Sequence, residues 1–253
     1  MQAVVLAGGK GTRLAPYTKI LPKPLMPIGD MPILEILLRQ MGRWGVDEVI
    51  LTVGHLSHLM CAFFQDGRQY GVKIRYSFEE CPLGTAGPLS LIEGLDDTFF
   101  VTNGDVLTTL SFQDLLAYHR NCGGIATVAS HARKVQIDLG VIQRNEKNEI
   151  IGYLEKPTYD YYVSMGIYVF EPRVLSYIPY NTYLDFPDLV LKLIEAGERV
   201  VSYPYDGYWM DLGRVDDYEQ AVKEFDTIRP QILGDEICKN LDSVRIAEEY
   251  LKG

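Results

Sequence analysis

A glycine-rich segment near the amino terminus, Leu6-Ala7-Gly8-Gly9-Lys10-Gly11-Thr12-Arg13-Leu14, directly follows a short apolar run. Glycines there let the backbone approach a ligand and turn several N–H groups toward it, a geometry suited to phosphate. Two familiar phosphate loops fail on the letters. A Walker loop needs Gly-Lys followed by Ser or Thr, whereas Lys10 is followed by Gly11. A dinucleotide fingerprint needs a third glycine where Leu14 stands, and a helix that Pro16, Pro22, Pro24 and Pro27 oppose. Charge says more. No acidic residue occurs between Met1 and Gly29, yet Lys10, Arg13, Lys19 and Lys23 do, in a chain of formal charge −10. A proline-stiffened, glycine-rich, locally basic loop suits a polyanion such as a nucleoside triphosphate.

Two carboxylates are candidates to face that loop. Asp105 follows an apolar strand through Asn103-Gly104, at the kind of strand end where open α/β sheets bind ligands. Asp211 lies in the aromatic-walled segment Gly207-Tyr208-Trp209-Met210-Asp211-Leu212-Gly213. Magnesium takes one or two carboxylates plus substrate phosphates and water, so this pair suits it. Spacing alone leaves open a second role, since aspartates at strand ends also cap helices and form turns. Lys156, in Glu155-Lys156-Pro157, offers a point charge for a phosphate or simply a surface turn. Cys61, Cys81, Cys122 and Cys238 are scattered without a Cys-x-x-Cys pair, which argues against disulfides and structural zinc. His55 and His58, three apart, lack a nearby third ligand and read as a surface helix.

The 253 residues, 47% of them hydrophobic and 23% charged, fit one large or two small domains with a buried core. A charge of −10 argues against a nucleic-acid binder and against docking on an anionic membrane. No run of apolar residues is long enough to span a bilayer, and the amino terminus lacks a signal-peptide pattern, so the expected location is cytoplasmic. Short apolar runs alternate with amphipathic stretches, which predicts an α/β layered fold. Strands are expected at 3–6, 48–53, 73–78, 98–102, 125–130, 140–143, 150–154, 165–170 and 200–203. Helices are expected at 33–41, 56–64, 85–95, from a Ser111 cap to about His119, at 185–196 and at 216–225, with another from about Gln231. The architecture this predicts is a single domain with a mixed, mostly parallel sheet and helices on both faces. An insertion from Ile125 to Phe170 would form half of a cleft.

Together these residues resemble the sugar-phosphate nucleotidyltransferase (nucleotide-sugar pyrophosphorylase) family. The resemblance rests on Leu6–Leu14, Pro22-Lys-Pro-Leu25, Gly84-Thr-Ala-Gly87, Asn103-Gly-Asp105, Glu155-Lys-Pro157 and Trp209-Met-Asp-Leu-Gly213. Six motifs in the family's order span nearly the whole chain. The segments Glu79–Leu89 and Tyr208–Asp211 look most like the mannose-1-phosphate guanylyltransferase branch. The resemblance implies a Rossmann-like catalytic domain over residues 1–227 and a helical tail over 228–253, without a hexapeptide-repeat β-helix. It also implies transfer of a nucleotidyl group from GTP to a mannose- or manno-heptose-1-phosphate-like sugar, or alternatively from UTP, dTTP or CTP to glucose 1-phosphate or another hexose 1-phosphate, giving a nucleotide sugar and pyrophosphate. Homo-oligomers are common in similar proteins.

The implied roles follow residue by residue. Arg13 and Lys23 would be catalytic, neutralising the triphosphate. Leu6, Ala7, Gly8, Gly9, Gly11, Thr12, Arg13, Glu80, Gly84, Thr85 and Gly104 would bind the nucleotide, with Glu80 accepting from guanine. Gly140, Glu155, Lys156 and Ser164 would hold the sugar phosphate, and Asp105 and Asp211 would hold Mg²⁺. Where the family often reads Asn-Ala-Gly beside the sugar, this chain reads Ser164-Met165-Gly166, which exchanges an amide for one hydroxyl. An inactive binding relative would be expected to lose Arg13, Lys23, Asp105 or Asp211, and all four are present. A glycosyltransferase would normally show a metal-binding Asp-x-Asp, and none follows 98–102.

Overall fold

The computed structural model describes residues 1–95, 97–235, 237, 238 and 241. Its elements, in chain order, begin with β1 (Gln2–Leu6), β2 (Pro27–Ile28), β3 (Met31–Pro32), α1 (Ile33–Arg43), β4 (Glu48–Val53), α2 (Ser57–Phe64) and β5 (Lys73–Phe78). Then come β6 (Phe99–Asn103), β7 (Val106–Thr108), α3 (Phe112–Cys122), β8 (Ala126–Gln136), β9 (Val141–Arg144), β10 (Ile150–Leu154) and β11 (Thr158–Phe170). The chain continues through α4 (Phe186–Glu195), β12 (Val200–Pro204), β13 (Trp209–Asp211) and α5 (Val215–Leu233).

Seven strands form one sheet in the order β12-β8-β11-β6-β1-β4-β5, and among them only β11 runs against its neighbours. This is the mixed, mostly parallel α/β sheet that the apolar runs predict. Alternation along β1 explains the layers: Ala3 and Val5 face one core with α1, α2 and α3, while Val4 faces the other with Phe186, Leu189 and Leu193 of α4. A third apolar cluster packs α5 against α1 and the β2–β3 turn. Ser111 caps α3 as its spacing suggests, accepting from the Asp114 N–H at 3.2 Å.

Three differences from the sequence reading have physical reasons. Residues 85–95 are not an α-helix: only Gly87–Leu91 forms a 3₁₀ turn, because Pro88 lacks an N–H and the N–H groups of Ala86 and Gly87 donate instead to Leu184 O. β8 and β11 are longer than expected and pair out to Gln136 and Thr158, which makes a ribbon rising past the carboxyl ends of β6 and β1. β7 and β13 were not expected at all; each has three residues, too few for a period to show. The boundary at 227/228 falls inside α5, which continues without a break to Leu233. Past Gly234 the described residues 235, 237, 238 and 241 are helical, with Cys238 N–H donating to Gly234 O at 3.2 Å, and the rest of the helix expected beyond Gln231 lies outside the described residues.

Phe100 is fully buried and meets Phe112 edge-on with ring centroids 5.2 Å apart, pinning α3 to the sheet. Phe100→Ala should cost about 3–5 kcal/mol in urea unfolding. Leu191→Ala, on the exposed side of α4, should stay within about 0.5 kcal/mol of the parent.

Candidate active site

The carboxyl ends of β1, β4 and β6 open into a cavity of about 1040 Å³. It gathers the whole expected nucleotide set, Leu6, Ala7, Gly8, Gly9, Gly11, Thr12, Arg13, Glu80, Gly84, Thr85 and Gly104, and with it Lys23, Asp105 and Asp211. Lys10, Pro24, Thr52, His55, Glu79, Asn103 and Tyr183 also line it, and none of these had been assigned a ligand. His55 lies in the turn before α2 and not on a surface helix, so it faces the cavity while His58 faces solvent.

The two carboxylates meet because β7 pairs antiparallel with β13, Val106 opposite Asp211, and because Leu212 N–H donates to Asp105 O at 3.0 Å. Buried polar contacts fix that short pair. Gln40 Nε2 on α1 donates to Thr108 O at 2.8 Å, and Thr108 Oγ1 donates to Tyr208 O at 2.9 Å. Burial, then the charge of Asp105, push the Asp211 carboxyl above its ordinary range, and the Lys23 ammonium partly offsets this. Lys23 itself forms an ion pair with Asp105. Two hard oxygen ligands under strain from their own repulsion are a suitable donor set for Mg²⁺, which would take its remaining ligands from phosphate and water. Among the described residues no group of three or more His, Cys, Asp or Glu is placed to hold a metal unaided.

The wall opposite the glycine loop carries Glu79 beside the expected Glu80, and both line the cavity. Glu79 N–H still donates to Val53 O at 3.0 Å, so the strand's two-residue alternation runs one residue past β5. That turns the Glu79 side chain into the cavity, where Oε2 accepts from Leu83 N–H at 3.3 Å. Glu80, the residue expected to read the base, is exposed and borders a second, shallower hollow as well. Burial raises the Glu79 carboxyl above its ordinary 4.5. Gly8 lets Glu79 approach closely: a Cβ there would lie 2.7 Å from Glu79 Oε1 and push that carboxylate aside.

Thr85 is in the cavity wall, but its hydroxyl is engaged. It donates to Asp185 Oδ1 at 3.2 Å and accepts from Phe186 N–H at 2.8 Å, while Thr85 N–H donates to the same carboxylate at 2.9 Å. Gly84 has φ +78, and a Cβ there would sit 2.6 Å from Leu184 O. The segment 82–87 is therefore clamped to residues 183–186, a contact about which local sequence says nothing.

Gly140, Glu155, Lys156 and Ser164 do not line this cavity. Ser164 sits on the ribbon strand β11, Gly140 just before the hairpin strand β9, and Glu155 and Lys156 between β10 and β11. Gly140 lies under the Tyr153 phenol, whose oxygen would be 2.0 Å from a Cβ. Ser164 Oγ is 3.1 Å from Tyr168 Oη. Lys156 is exposed and held at φ +43 before Pro157, a conformation a lysine seldom adopts.

A protein-family model described as nucleotidyl transferase matches residues 2–227. A UTP–glucose-1-phosphate uridylyltransferase from Synechocystis is 36% identical over 243 residues, covering 88% of this chain and 63% of that protein. A mannose-1-phosphate guanyltransferase from Debaryomyces hansenii is 35% identical over 227 residues, covering 86% and 62%. The chain thus spans less than two thirds of the length of these relatives. Among solved structures, HddC from Yersinia pseudotuberculosis shares the fold, with TM-score 0.68 and 22% identity over 88% of this chain and 99% of that one.

The Asp185 carboxylate is held below its ordinary 3.8, first by the Tyr183 hydroxyl and then, against the cost of burial, by Thr85. The clamp is accordingly at full strength above that value and weakens as pH falls through the lowered one. Asp185→Ala should cost about 1–2 kcal/mol and speed amide hydrogen exchange across 82–87 at neutral pH. Unchanged exchange there would remove Asp185 from the site's support.

Proposed function

The chain belongs to the nucleotidyl transferase family, and from that premise we propose that it transfers a nucleotidyl group to a sugar 1-phosphate, releasing pyrophosphate. The preferred donor is GTP and the preferred acceptor a manno-configured sugar 1-phosphate. The observation that carries the reading is a single cavity in which a glycine loop, Arg13 and Lys23 face two repelling carboxylates. A phosphate oxygen of the sugar 1-phosphate attacks the α-phosphorus. The bond from that phosphorus to the oxygen bridging it to the β-phosphate breaks, and its electrons leave with pyrophosphate. No nucleophile from the protein and no proton transfer is needed, so positioning and charge neutralisation supply the rate.

In this reading the backbone N–H groups of Gly8, Gly9 and Gly11 bind the triphosphate, and Arg13 neutralises the departing pyrophosphate. Asp105 and Asp211 would hold Mg²⁺, which when bound withdraws charge from the phosphate oxygens. Lys23, ion-paired with Asp105, would be the cation nearest the α-phosphate. Lys156, at the start of the ribbon, receives the sugar phosphate.

Glu79 supports guanine, whose N1–H and N2–H are donors that a carboxylate can accept. UTP with glucose 1-phosphate is the second reading, favoured by the 36% identity to the Synechocystis uridylyltransferase.

Pyrophosphate release measured over a grid of nucleoside triphosphates and sugar 1-phosphates tests the reaction. Activity should peak at GTP with mannose 1-phosphate or manno-heptose 1-phosphate. An empty grid despite nucleotide binding would overturn catalysis. Asp105→Asn and Asp211→Asn should each lower kcat at least about 100-fold, the scale of losing one group that stabilises transition-state charge. Lys156→Ala should raise KM for the sugar 1-phosphate at least about tenfold and leave that for the nucleotide alone. KM for GTP should rise as pH falls while still above 4.5, because the Glu79 carboxyl takes up its proton early. A Glu79→Gln variant should lose that dependence.

A further inference from the structure

Among the described residues Tyr183 is the one Phe, Tyr or Trp that lines the cavity, and it is 60% exposed. An exposed tyrosine is ordinarily free to swing between rotamers. This one is tethered at its far end, where the phenol donates to Asp185 Oδ2 at 2.6 Å. The tether holds the side chain in place while most of the ring stays uncovered. A tyrosine held this way offers a flat, rigid surface whose ordering costs little entropy when a ligand settles on it.

The backbone around it ties that ring to Glu79. Leu184 packs into the core cluster that includes α4, and Tyr183 beside it faces the cavity. Leu184 N–H donates to Leu83 O at 3.0 Å, and Leu83 N–H in turn donates to Glu79 Oε2 at 3.3 Å. One short piece of backbone therefore positions both a carboxylate and an aromatic ring. An acceptor for donors in the plane of a base, and a flat surface for its face, are the two elements of nucleobase recognition. Tyr180 makes the contrast: it is 78% exposed and borders the shallower hollow instead.

A sugar ring can also lie on a tyrosine, but the residues expected at the sugar phosphate do not line this cavity, whereas Glu79 does. We propose that Tyr183 is the stacking platform for the nucleobase, its ring against the face of a purine whose N1–H and N2–H edge meets Glu79. The inference rests on nucleotidyl transfer as the reaction. A purine sets two fused rings against the tyrosine and a pyrimidine one, so the platform favours GTP over UTP.

Calorimetric titration of the full chain with GTP and Mg²⁺, without sugar 1-phosphate, tests this. Tyr183→Ala should weaken GTP binding about tenfold, within the range found on removing an aromatic ring from beneath a base. Tyr183→Phe keeps the ring and should bind within about twofold of the parent. Tyr180→Ala should bind as the parent does. Should Tyr183→Ala fail to fold by circular dichroism, Tyr183→Leu, which keeps apolar bulk without a π face, takes its place with the same expectation. If Tyr183→Phe lost as much affinity as Tyr183→Ala, the hydroxyl's hold on Asp185 would be the whole of the residue's role and the inference would fall. A folded Tyr183→Ala or Tyr183→Leu that binds GTP as the parent does would also overturn it, and would leave the nucleotidyl-transfer reading standing. A parent that binds no nucleoside triphosphate would overturn both.

Discussion

Two like charges held side by side are the constraint around which the site is organised. Asp105 and Asp211 come from positions far apart in the chain and would separate if left to electrostatics. The β7–β13 pair holds them together, and its hydrogen bonds to Gln40, Thr108 and Tyr208 are buried or nearly so, where an unmet polar group is costly. Lys23 supplies the compensating cation, which ties the proline-rich loop to the same point. A group bringing positive charge to this place would relieve the repulsion, which is the physical basis of the proposed Mg²⁺ site.

The other walls can be understood as supports for that point. The glycine loop reaches it because β1 is central in the sheet and carries the chain directly to the cavity. The opposite wall, 79–87, has little regular structure of its own and takes its shape from residues 183–186. Glu79, half-buried, lies against Gly8, so the two walls approach each other closely at that point.

Much of this was legible in the sequence, and the limits have physical causes. Glu48–Val53 read correctly to the residue because a strand buried between layers is continuous in apolar character, and Lys73–Phe78 did because the edge strand alternates polar and apolar residues. The basic, proline-stiffened loop and Asp105 were legible because their chemistry is local. Glu79 was not singled out, because one residue of strand continuation past β5 decides that its side chain turns toward Gly8. Asp185 was missed because its partner, Thr85, is 100 residues away. In the 85–95 segment Ala86, Leu89, Ile92 and Leu95 recur every three residues, close to a helical spacing, yet Pro88 and the hydrogen bonds to Leu184 O decide against a helix.

The most direct test of the account is the Mg²⁺ dependence of binding for a nucleotide whose α–β bridge is a methylene, measured calorimetrically in the parent and in the Asp105→Asn, Asp211→Asn double variant. The parent should bind the nucleotide at least about tenfold tighter with Mg²⁺ than without, a coupling of ~1.4 kcal/mol, and the double variant should show almost none of that gain. An equal gain in both proteins would mean that the metal is carried by the nucleotide alone and that the paired carboxylates serve some other end.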